Sequence, residues 1–231
     1  GDLPYEPDWG ELLTGLRCPG VFVLDIESQK VTQLAMPKDA ACGHCAWAPG
    51  GEEVVYTAWP PESSQLPGVR RPGLIYCYNR PSALYASRAD GQGSAVRLTP
   101  ETLPSAAQPC FSPSGRVLAF VSNACAVASG AHNATQELLL MDWSGSSSPQ
   151  VSPRTLVPAI EQPATADAFP GLYMTRLGPQ SWVDEKTLVL PTLWRSEEAV
   201  VAVDAGSGSV ERLTPPGDSH GLLAVCGDLV A

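Results

Sequence analysis

The stretch Trp47-Ala48-Pro49-Gly50-Gly51, followed by Val54-Val55-Tyr56, decides the fold of this chain of 231 residues. It joins an aromatic residue, a Pro-Gly turn and a short apolar strand. The same phrase returns as Phe111-Ser112-Pro113-Ser114-Gly115 before Val117-Leu118-Ala119-Phe120. A weaker copy is Trp182-Val183-Asp184-Glu185-Lys186 before Leu188-Val189-Leu190. Short alternating runs separated by Gly, Pro and Asp are typical of antiparallel hairpins, so the repeat indicates a recurring β unit.

Two further phrases divide the chain into units. Leu-Thr closes two of the units, at Leu98-Thr99 and Leu213-Thr214. An apolar strand that ends in Asp at a turn occurs at residues 21–25, 84–90, 138–142 and 200–204. Each unit therefore contains about four short strands. Four-stranded units that recur roughly every 50–65 residues are typical of β-propeller blades with long loops.

The sequence therefore predicts an all-β fold, a partial β-propeller with about three complete four-stranded blades plus parts of two more. The whole chain, 1–231, forms this incomplete propeller, and its blades cover approximately 43–99, 105–158 and 178–214. The segment up to Met36 would end a preceding blade, and 221–231 would begin the next. A seven-bladed ring needs roughly 350–450 residues, so we expect an incomplete ring with open sheet edges.

Composition and charge exclude several classes of protein. Apolar residues make up 44% and charged residues 16% of the chain, which is too apolar for a disordered protein. The net charge of −10 is a poor match for phosphate backbones, so we expect no nucleic-acid partner. No apolar run approaches the length of a membrane span, so we expect no membrane partner. Seven cysteines, an odd number, fit a reducing compartment and a cytoplasmic location.

One segment matches a catalytic motif. Gly217-Asp218-Ser219-His220-Gly221 satisfies G-x-S-x-G, the nucleophile elbow of α/β-hydrolases. The elbow needs a buried strand before the serine and a helix after it, whereas Pro215 and Pro216 come directly before this segment. No His follows His220, so the chain order of the triad fails as well. We interpret the segment as a loop between blades and predict no catalytic residue, with a small hydrolase that uses Ser219 as an alternative.

Other candidate sites have structural explanations. Cys42-Gly43-His44-Cys45 is half of a zinc or redox motif, but no second ligand pair stands at suitable spacing, so we predict no metal and no cofactor. The sequon Asn133-Ala134-Thr135 lies on a predicted loop and matters only in a secretory context. We interpret the recurring aspartates as hairpin turns rather than calcium loops. Packing between blades is the expected role of the tryptophans, which are Trp9, Trp47, Trp59, Trp143, Trp182 and Trp194.

Several segments resemble the propeller portion of the acylaminoacyl-peptidase (acylamino-acid-releasing enzyme) family, within the prolyl oligopeptidase family. The most specific are Tyr5-Glu6…Asp8-Trp9-Gly10-Glu11 and Asn79-Arg80…Ser82-Ala83-Leu84-Tyr85, because a generic propeller repeat does not dictate them. Pro7 interrupts the first segment, and Pro81 replaces a basic residue of the family in the second. Further matching segments are Val23-Leu24-Asp25, Trp47-Ala48-Pro49-Gly50, Ser112-Pro113, Leu140…Asp142-Trp143, Gly171…Tyr173 and Ala202-Val203-Asp204.

The resemblance implies a specific biochemical setting. The family releases an N-acylated amino acid from the start of a short peptide, and a C-terminal α/β-hydrolase domain with a Ser-Asp-His triad performs the chemistry. We expect that domain to be absent from this chain, which would then be inactive alone. The implied partners are the hydrolase domain of the full-length protein, short N-acylated peptides and further copies in a homo-oligomer.

Two functions follow as expectations. The first is a non-catalytic, substrate-gating propeller of a serine peptidase, because a ring over an active site selects by size and excludes folded proteins and bulk water. The alternative is a stand-alone propeller that acts as a protein-interaction scaffold without enzymatic activity. Propellers host many unrelated roles, so the fold by itself does not decide between them.

Overall fold

The computed structural model describes residues 14–16, 18–60, 78–148, 152–165, 167–227 and 229–231. Within these ranges the chain forms antiparallel β-sheets and a single six-residue helix. The first sheet is a hairpin of two strands, β1 (Phe22–Leu24) and β2 (Val31–Gln33). The segment from Tyr5 to Glu11 that carries part of the family resemblance, with Trp9, lies outside the described residues.

Two sheets of four strands follow, and each has its strands side by side in chain order. The first contains β3 (Ala41–Trp47), β4 (Glu53–Trp59), β5 (Ala83–Arg88) and β6 (Val96–Arg97). The second contains β7 (Ala107–Phe111), β8 (Val117–Ser122), β9 (Glu137–Asp142) and β10 (Arg154–Val157), with helix α1 (Ala124–Ser129) between β8 and β9. The repeated stretch thus forms the first hairpin of each sheet, with the Pro-Gly or Pro-Ser-Gly turn at its tip.

A sheet of three strands comes next, formed by β11 (Thr187–Trp194), β12 (Glu197–Asp204) and β13 (Val210–Arg212). A single bridge between Trp182 and Leu188 occupies the place of its first strand. Pro179 has no N–H to donate in this segment, and Gly178 N donates instead to the Ser181 hydroxyl (2.9 Å). A last hairpin follows, formed by β14 (Val225–Cys226) and β15 (Leu229–Val230).

The connections between strands divide between the two ends of the sheets, because the strands are antiparallel. The turns 48–52, 89–95, 112–116 and 205–209 lie at one end, which we call the turn face, together with the longer connection from β9 to β10. The connections 34–40, 98–106, 123–136, 158–178 and 213–224 lie at the other end, which we call the loop face, together with the two-residue turn from β11 to β12. The chain therefore enters and leaves each sheet at the loop face.

The hydrophobic core lies between neighbouring sheets. Val55, Leu84 and Phe120 are fully buried between the first and second four-stranded sheets. Leu138 and Leu188 are fully buried between the second and third. Each such side chain contributes about 1.5–3 kcal/mol, more than an exposed ion pair, so apolar packing holds the sheets together. Sheets stacked in this way are propeller blades, and the chain is an all-β partial propeller, as the repeat predicts.

The aromatic residues of the repeat differ in their surroundings. Phe111 packs edge-on against Trp143, with ring centroids 5.2 Å apart, and Trp182 is 7% exposed with its indole N–H directed at Cys110 O (3.5 Å). Trp47 is 55% exposed, although we expected it to pack between blades. It pairs with Val54, whose side chain joins the cluster facing the β1–β2 hairpin. That hairpin has only two strands in the described part of the chain, too few to cover the indole.

One glycine marks how closely neighbouring blades approach. Gly208 lies in the 205–209 turn with a positive φ of 76°, and a Cβ at this position would be 2.1 Å from Leu156 O in β10. The Arg154 guanidinium donates to Ala205 O (2.7 Å) beside it. The third blade thus rests directly on the outer strand of the second.

Candidate functional site

The first strands of the blades meet one another near the centre of the propeller. β3 and β7 both contain a register shift, and the residues at the two irregularities, His44 (φ 49°) and Gln108 (φ 58°), have left-handed backbones. Gln108 N donates to the Thr57 hydroxyl of the first blade (3.2 Å), and Gln108 Oε1 accepts from Leu177 N, in the connection that leads into the third blade (2.7 Å). Gln108 therefore links the second blade to the first blade and to the entrance of the third.

A chain of buried polar groups extends this connection across the loop face. The Ser82 and Ser105 hydroxyls are 3.3 Å apart, and Ser105 Oγ also accepts from Asn123 N (3.1 Å). Gln136 Nε2 donates to Asn123 Oδ1 (3.0 Å), and Gln136 Oε1 accepts from Thr175 N (2.7 Å). All five residues are buried, and Gln136 is fully so. Buried polar groups that satisfy one another specify a single arrangement of the loops.

The segment that most resembles the family belongs to the same face. Tyr78 N donates to His132 O (2.7 Å), and Asn79 Nδ2 donates to Gly130 O (3.0 Å). Gly130 ends helix α1 in a left-handed conformation. The segment therefore braces the loop of the first blade against the 123–136 connection of the second, just before it enters β5.

A cavity of about 350 Å³ opens beside this brace at the loop-face end of the first blade. Its lining is mainly small or apolar: Pro37, Ala40, Ala58, Pro60, Pro81, Ala83, Leu103, Pro104 and Val127. Ser82, Tyr85, Arg97 and Glu101 also contribute to the lining. An apolar hollow with a few polar groups is the usual form of a binding site for a small ligand. We call it the loop-face cavity.

Three polar side chains at this cavity can make further hydrogen bonds or ion pairs beyond those seen among the described residues. Arg97 Nε donates to Thr99 O (2.9 Å), while its terminal nitrogens make no hydrogen bond or ion pair there. The Glu101 carboxylate and the Tyr85 hydroxyl also make none with the described part of the chain. Tyr85 is held in place by stacking on Tyr56, with ring centroids 6.4 Å apart. Arg97 and Glu101 are exposed and Tyr85 is half-buried, so the cavity has a cation, an anion and a tyrosine beside its apolar lining.

The turn face carries a shallower hollow of about 620 Å³ between the first two blades. It is bordered by Glu52, Arg88 and Trp143. The Glu53 carboxylate accepts a hydrogen bond from the Ser146 hydroxyl across it, and the Arg88 guanidinium pairs with Asp90 (2.5 Å). Glu53 therefore serves the seam between the blades, and Arg88 is paired within its own hairpin. We take the loop-face cavity, whose charged groups have no such partners in the described residues, as the better candidate site.

Ser219 lies in the connection between β13 and β14, where residues 213–224 form neither strand nor helix. Its hydroxyl accepts a hydrogen bond from Glu198 N (3.1 Å), and His220 N donates to Glu198 O (2.7 Å). The backbone of β12, rather than an adjacent base, is thus the partner of this serine. The strand–turn–helix context of a nucleophile elbow is missing from this segment.

Cys42, His44 and Cys45 lie on β3. Cys42 is buried, and burial raises the pKa of its thiol to about 12. The His44 ring packs edge-on against Trp59 at 5.1 Å. No group of three or more His, Cys, Asp or Glu side chains that could hold a metal ion is found within the described ranges. The motif forms part of a strand.

The remaining candidates also serve local structure. Asn133 Oδ1 accepts from Ala134 N (3.1 Å) on the 123–136 connection. Asp25, Asp90 and Asp204 each accept backbone N–H groups of their own turns, at Ser28, Gln92 and Ser207. Side-chain hydrogen bonds from Ser28, Arg88 and Ser207 lower the pKa of these three carboxyl groups, and the backbone N–H groups lower it further.

Sequence reasoning did not single out Gln136, Arg97 or Glu101. Gln136 acts through partners 13 and 39 positions away along the chain, which no local pattern reveals. Arg97 is the last residue of β6, and Glu101 follows that strand. The Leu-Thr phrase between them indicates only that a blade ends here. The charged pair beside that phrase is the one signal that could have drawn attention to them.

Comparison with known proteins places this architecture in a family. The family model described as "Acylamino-acid-releasing enzyme, N-terminal domain" matches residues 1–231. The chain is 32% identical over 247 residues to the acylamino-acid-releasing enzyme of Arabidopsis thaliana, covering 100% of this chain and 32% of that protein. It is 32% identical over 230 residues to the enzyme of Mus musculus, covering 98% and 29%. The chain spans about a third of the length of these curated relatives.

Solved structures share the fold at low sequence identity. A puromycin-hydrolyzing peptidase of Mycobacterium tuberculosis superposes with a TM-score of 0.54 at 17% identity, over 88% of this chain and 27% of that one. A putative TolB of Agrobacterium tumefaciens gives 0.52 at 15% identity, over 86% and 55%. At these identities the likeness concerns the fold alone. In the described ranges, no helix has the length and apolarity needed to cross a bilayer.

Proposed function

Because this chain belongs to the acylamino-acid-releasing enzyme family through its N-terminal domain, we propose that it is a non-catalytic propeller that gates access to a serine-peptidase domain. The substrates would be short N-acylated peptides, and the product an N-acylated amino acid. The family match over residues 1–231, together with the stacked blades, is the observation that carries this proposal. We place the blades at 43–99, 105–158 and 178–214.

The topology suggests which face of the ring meets the catalytic domain. Each blade begins and ends at the loop face, so a domain joined to either end of a set of complete blades is tethered there. The loop face also carries the cavity, the long connections and the buried chain from Ser82 to Thr175. The turn face offers mainly short hairpins. We therefore propose that the loop face covers the active site.

The surroundings of Ser219 support a non-catalytic role for this chain. A nucleophile needs a base within hydrogen-bond reach, whereas Ser219 Oγ is engaged by a backbone N–H. The six described cysteines Cys18, Cys42, Cys45, Cys110, Cys125 and Cys226 are free thiols, which fits a cytoplasmic location. Assembly of the full-length protein into a homo-oligomer belongs to the same proposal, by analogy with the family.

The test uses the natural protein that contains these 231 residues. Release of acetylalanine is measured from acetylated peptides of graded length, from tripeptides to long unfolded chains. We expect tripeptides to be cleaved and long chains to be resisted. Gln108→Asn shortens the side chain that accepts from Leu177 N, and Asn tolerates the left-handed backbone. This variant should cleave long chains faster while its tripeptide rate stays unchanged.

The control for that variant is Gln92→Asn, on an exposed turn of the turn face. Equal rates on short and long peptides in the unmodified protein would refute gating. Acetylalanine release by the 231-residue chain alone would refute the non-catalytic role, and loss of that activity in Ser219→Ala would assign it to Ser219.

The alternative is a stand-alone scaffold, and one observation favours it. The β1–β2 hairpin exposes Phe22, Leu24 and Val31 by 56%, 58% and 61%. Exposed apolar side chains on a short sheet are typical of an interaction surface. Absence of acylamino-acid release from the natural protein, together with a stable complex that Phe22→Ser disrupts, would select this function.

A further inference from the structure

The loop-face cavity has the size and lining of a site for part of a small molecule. Its volume of about 350 Å³ lies at the lower end of the range for ligand sites. Ala40, Ala58 and Ala83 are 7%, 2% and 5% exposed and leave the floor free of large side chains. Leu103 and Val127 form part of its wall. An apolar side chain of moderate size would fill this space.

The charged groups of the lining indicate which functional groups a ligand must carry. Arg97 has terminal guanidinium nitrogens without a partner in the described ranges, and a guanidinium binds a carboxylate through paired N–H groups. Glu101 has an unengaged carboxylate within the same ranges and can only accept hydrogen bonds when ionised. The matching ligand therefore carries a carboxylate, an N–H donor and an apolar side chain close together.

The C-terminal residue of a peptide combines these three groups. We infer that the loop-face cavity binds the C-terminal residue of a short peptide, with its carboxylate on Arg97, its N–H on Glu101 and its apolar side chain on the alanine floor. The identification of the ligand as a peptide rests on the proposed function. Capture of a terminal carboxylate is an established mode of peptide recognition.

This site adds a chemical criterion to selection by size. A peptide held by its carboxylate at the loop face can reach a neighbouring active site with its acylated end only if it is short. A long peptide could have its C-terminus in the loop-face cavity or its acylated end in the active site, but not both at once. The protein would therefore favour short peptides with a free, apolar C-terminus even among those that fit through the ring.

Binding to the 231-residue chain tests the inference without reference to catalysis. Isothermal titration with Ac-Ala-Ala-Leu as the free acid and as the C-terminal amide compares the two ends directly. We expect the acid to bind about tenfold more tightly. Arg97→Gln should remove this difference, while Arg195→Gln, the same charge change outside the cavity lining, should preserve it. Equal binding of acid and amide by the unmodified chain would overturn the inference.

A second variant addresses the apolar floor. Val127 is half-buried on helix α1, so Val127→Phe fills the cavity without burying a new polar group. Val127→Phe should weaken binding of the free-acid peptide at least about fivefold, and Val127→Ala should weaken it less. Unchanged binding in Val127→Phe would place the peptide elsewhere and overturn the assignment.

Hydrolysis by the natural protein separates this inference from the proposed function. If both hold, KM for the free acid is lower than for the amide, and Arg97→Gln raises it with kcat unchanged. Selective binding of the acid without any hydrolysis would retain the site and refute the proposed function. If the natural protein hydrolyses both peptides, and neither KM nor the titration distinguishes the acid from the amide, the proposed function is retained and the site is refuted.

Discussion

Substitution of Gly208 by alanine tests whether the blades contact each other as closely as the structure shows. Its φ of 76° is unfavourable for alanine, at a cost of about 1–2 kcal/mol. The new Cβ would also stand 2.1 Å from Leu156 O, so the turn and β10 must separate by nearly 1 Å. Overpacking of this kind costs about 1–3 kcal/mol. Together these terms predict a loss of about 3 kcal/mol.

Gly93→Ala is the matched control, because its φ of 80° is close to that of Gly208 while no atom lies within 4 Å of the added Cβ. It should lose only the backbone part, about 1–2 kcal/mol. Urea unfolding followed by circular dichroism measures both, and Tm should fall by about 2–4 °C per kcal/mol for a domain of this size. Equal losses in the two variants would show that the third blade does not rest on β10 and would refute the inter-blade contact.

Three other perturbations examine separate parts of the structure. Gln136→Leu leaves two buried polar groups without a partner and should lower the free energy of unfolding by about 2–5 kcal/mol in a urea titration. Burial raises the pKa of Cys42 and Cys110 to about 12, so a thiol reagent at pH 8 should modify them only after unfolding. Hydrogen bonding from Arg212 holds the pKa of Glu197 below its usual range, so Glu197→Gln should lower Tm at pH 7, and the difference from the unmodified chain should vanish as pH falls through the folded pKa.

Each of these three experiments has a matched control. Gln92→Leu, on an exposed turn, should leave the free energy of unfolding nearly unchanged, and a loss equal to that of Gln136→Leu would contradict the buried chain. The exposed thiol of Cys226 should react with the reagent in the folded protein. Rapid labelling of Cys42 in native conditions would mean that β3 is open to solvent. Glu198→Gln removes a neighbouring exposed charge and should not reproduce the pH-dependent loss of Glu197→Gln.

The fold was predictable because its signals are local. A Pro-Gly turn after an aromatic residue requires only nearby atoms, so the hairpins of β3–β4 and β7–β8 follow from the sequence. The first strand of the third blade was less predictable, since the chain forms only a single bridge there, between Trp182 and Leu188. The loop-face cavity could not be predicted from the sequence, because it brings together Pro37 of the 34–40 connection, Arg97 of β6 and Val127 of α1.

The division of connections between the two faces has a consequence for the history of this protein. Residues added to the loop face lengthen a connection without interrupting a ladder of hydrogen bonds, whereas residues added to a hairpin of the turn face shift the register of two strands. Alignment with the Arabidopsis thaliana enzyme runs over 247 positions for a chain of 231, so insertions and deletions separate the two. They should concentrate in 98–106, 123–136, 158–178 and 213–224, so that the surface through which these proteins diverge is also the one that we propose to select their substrates.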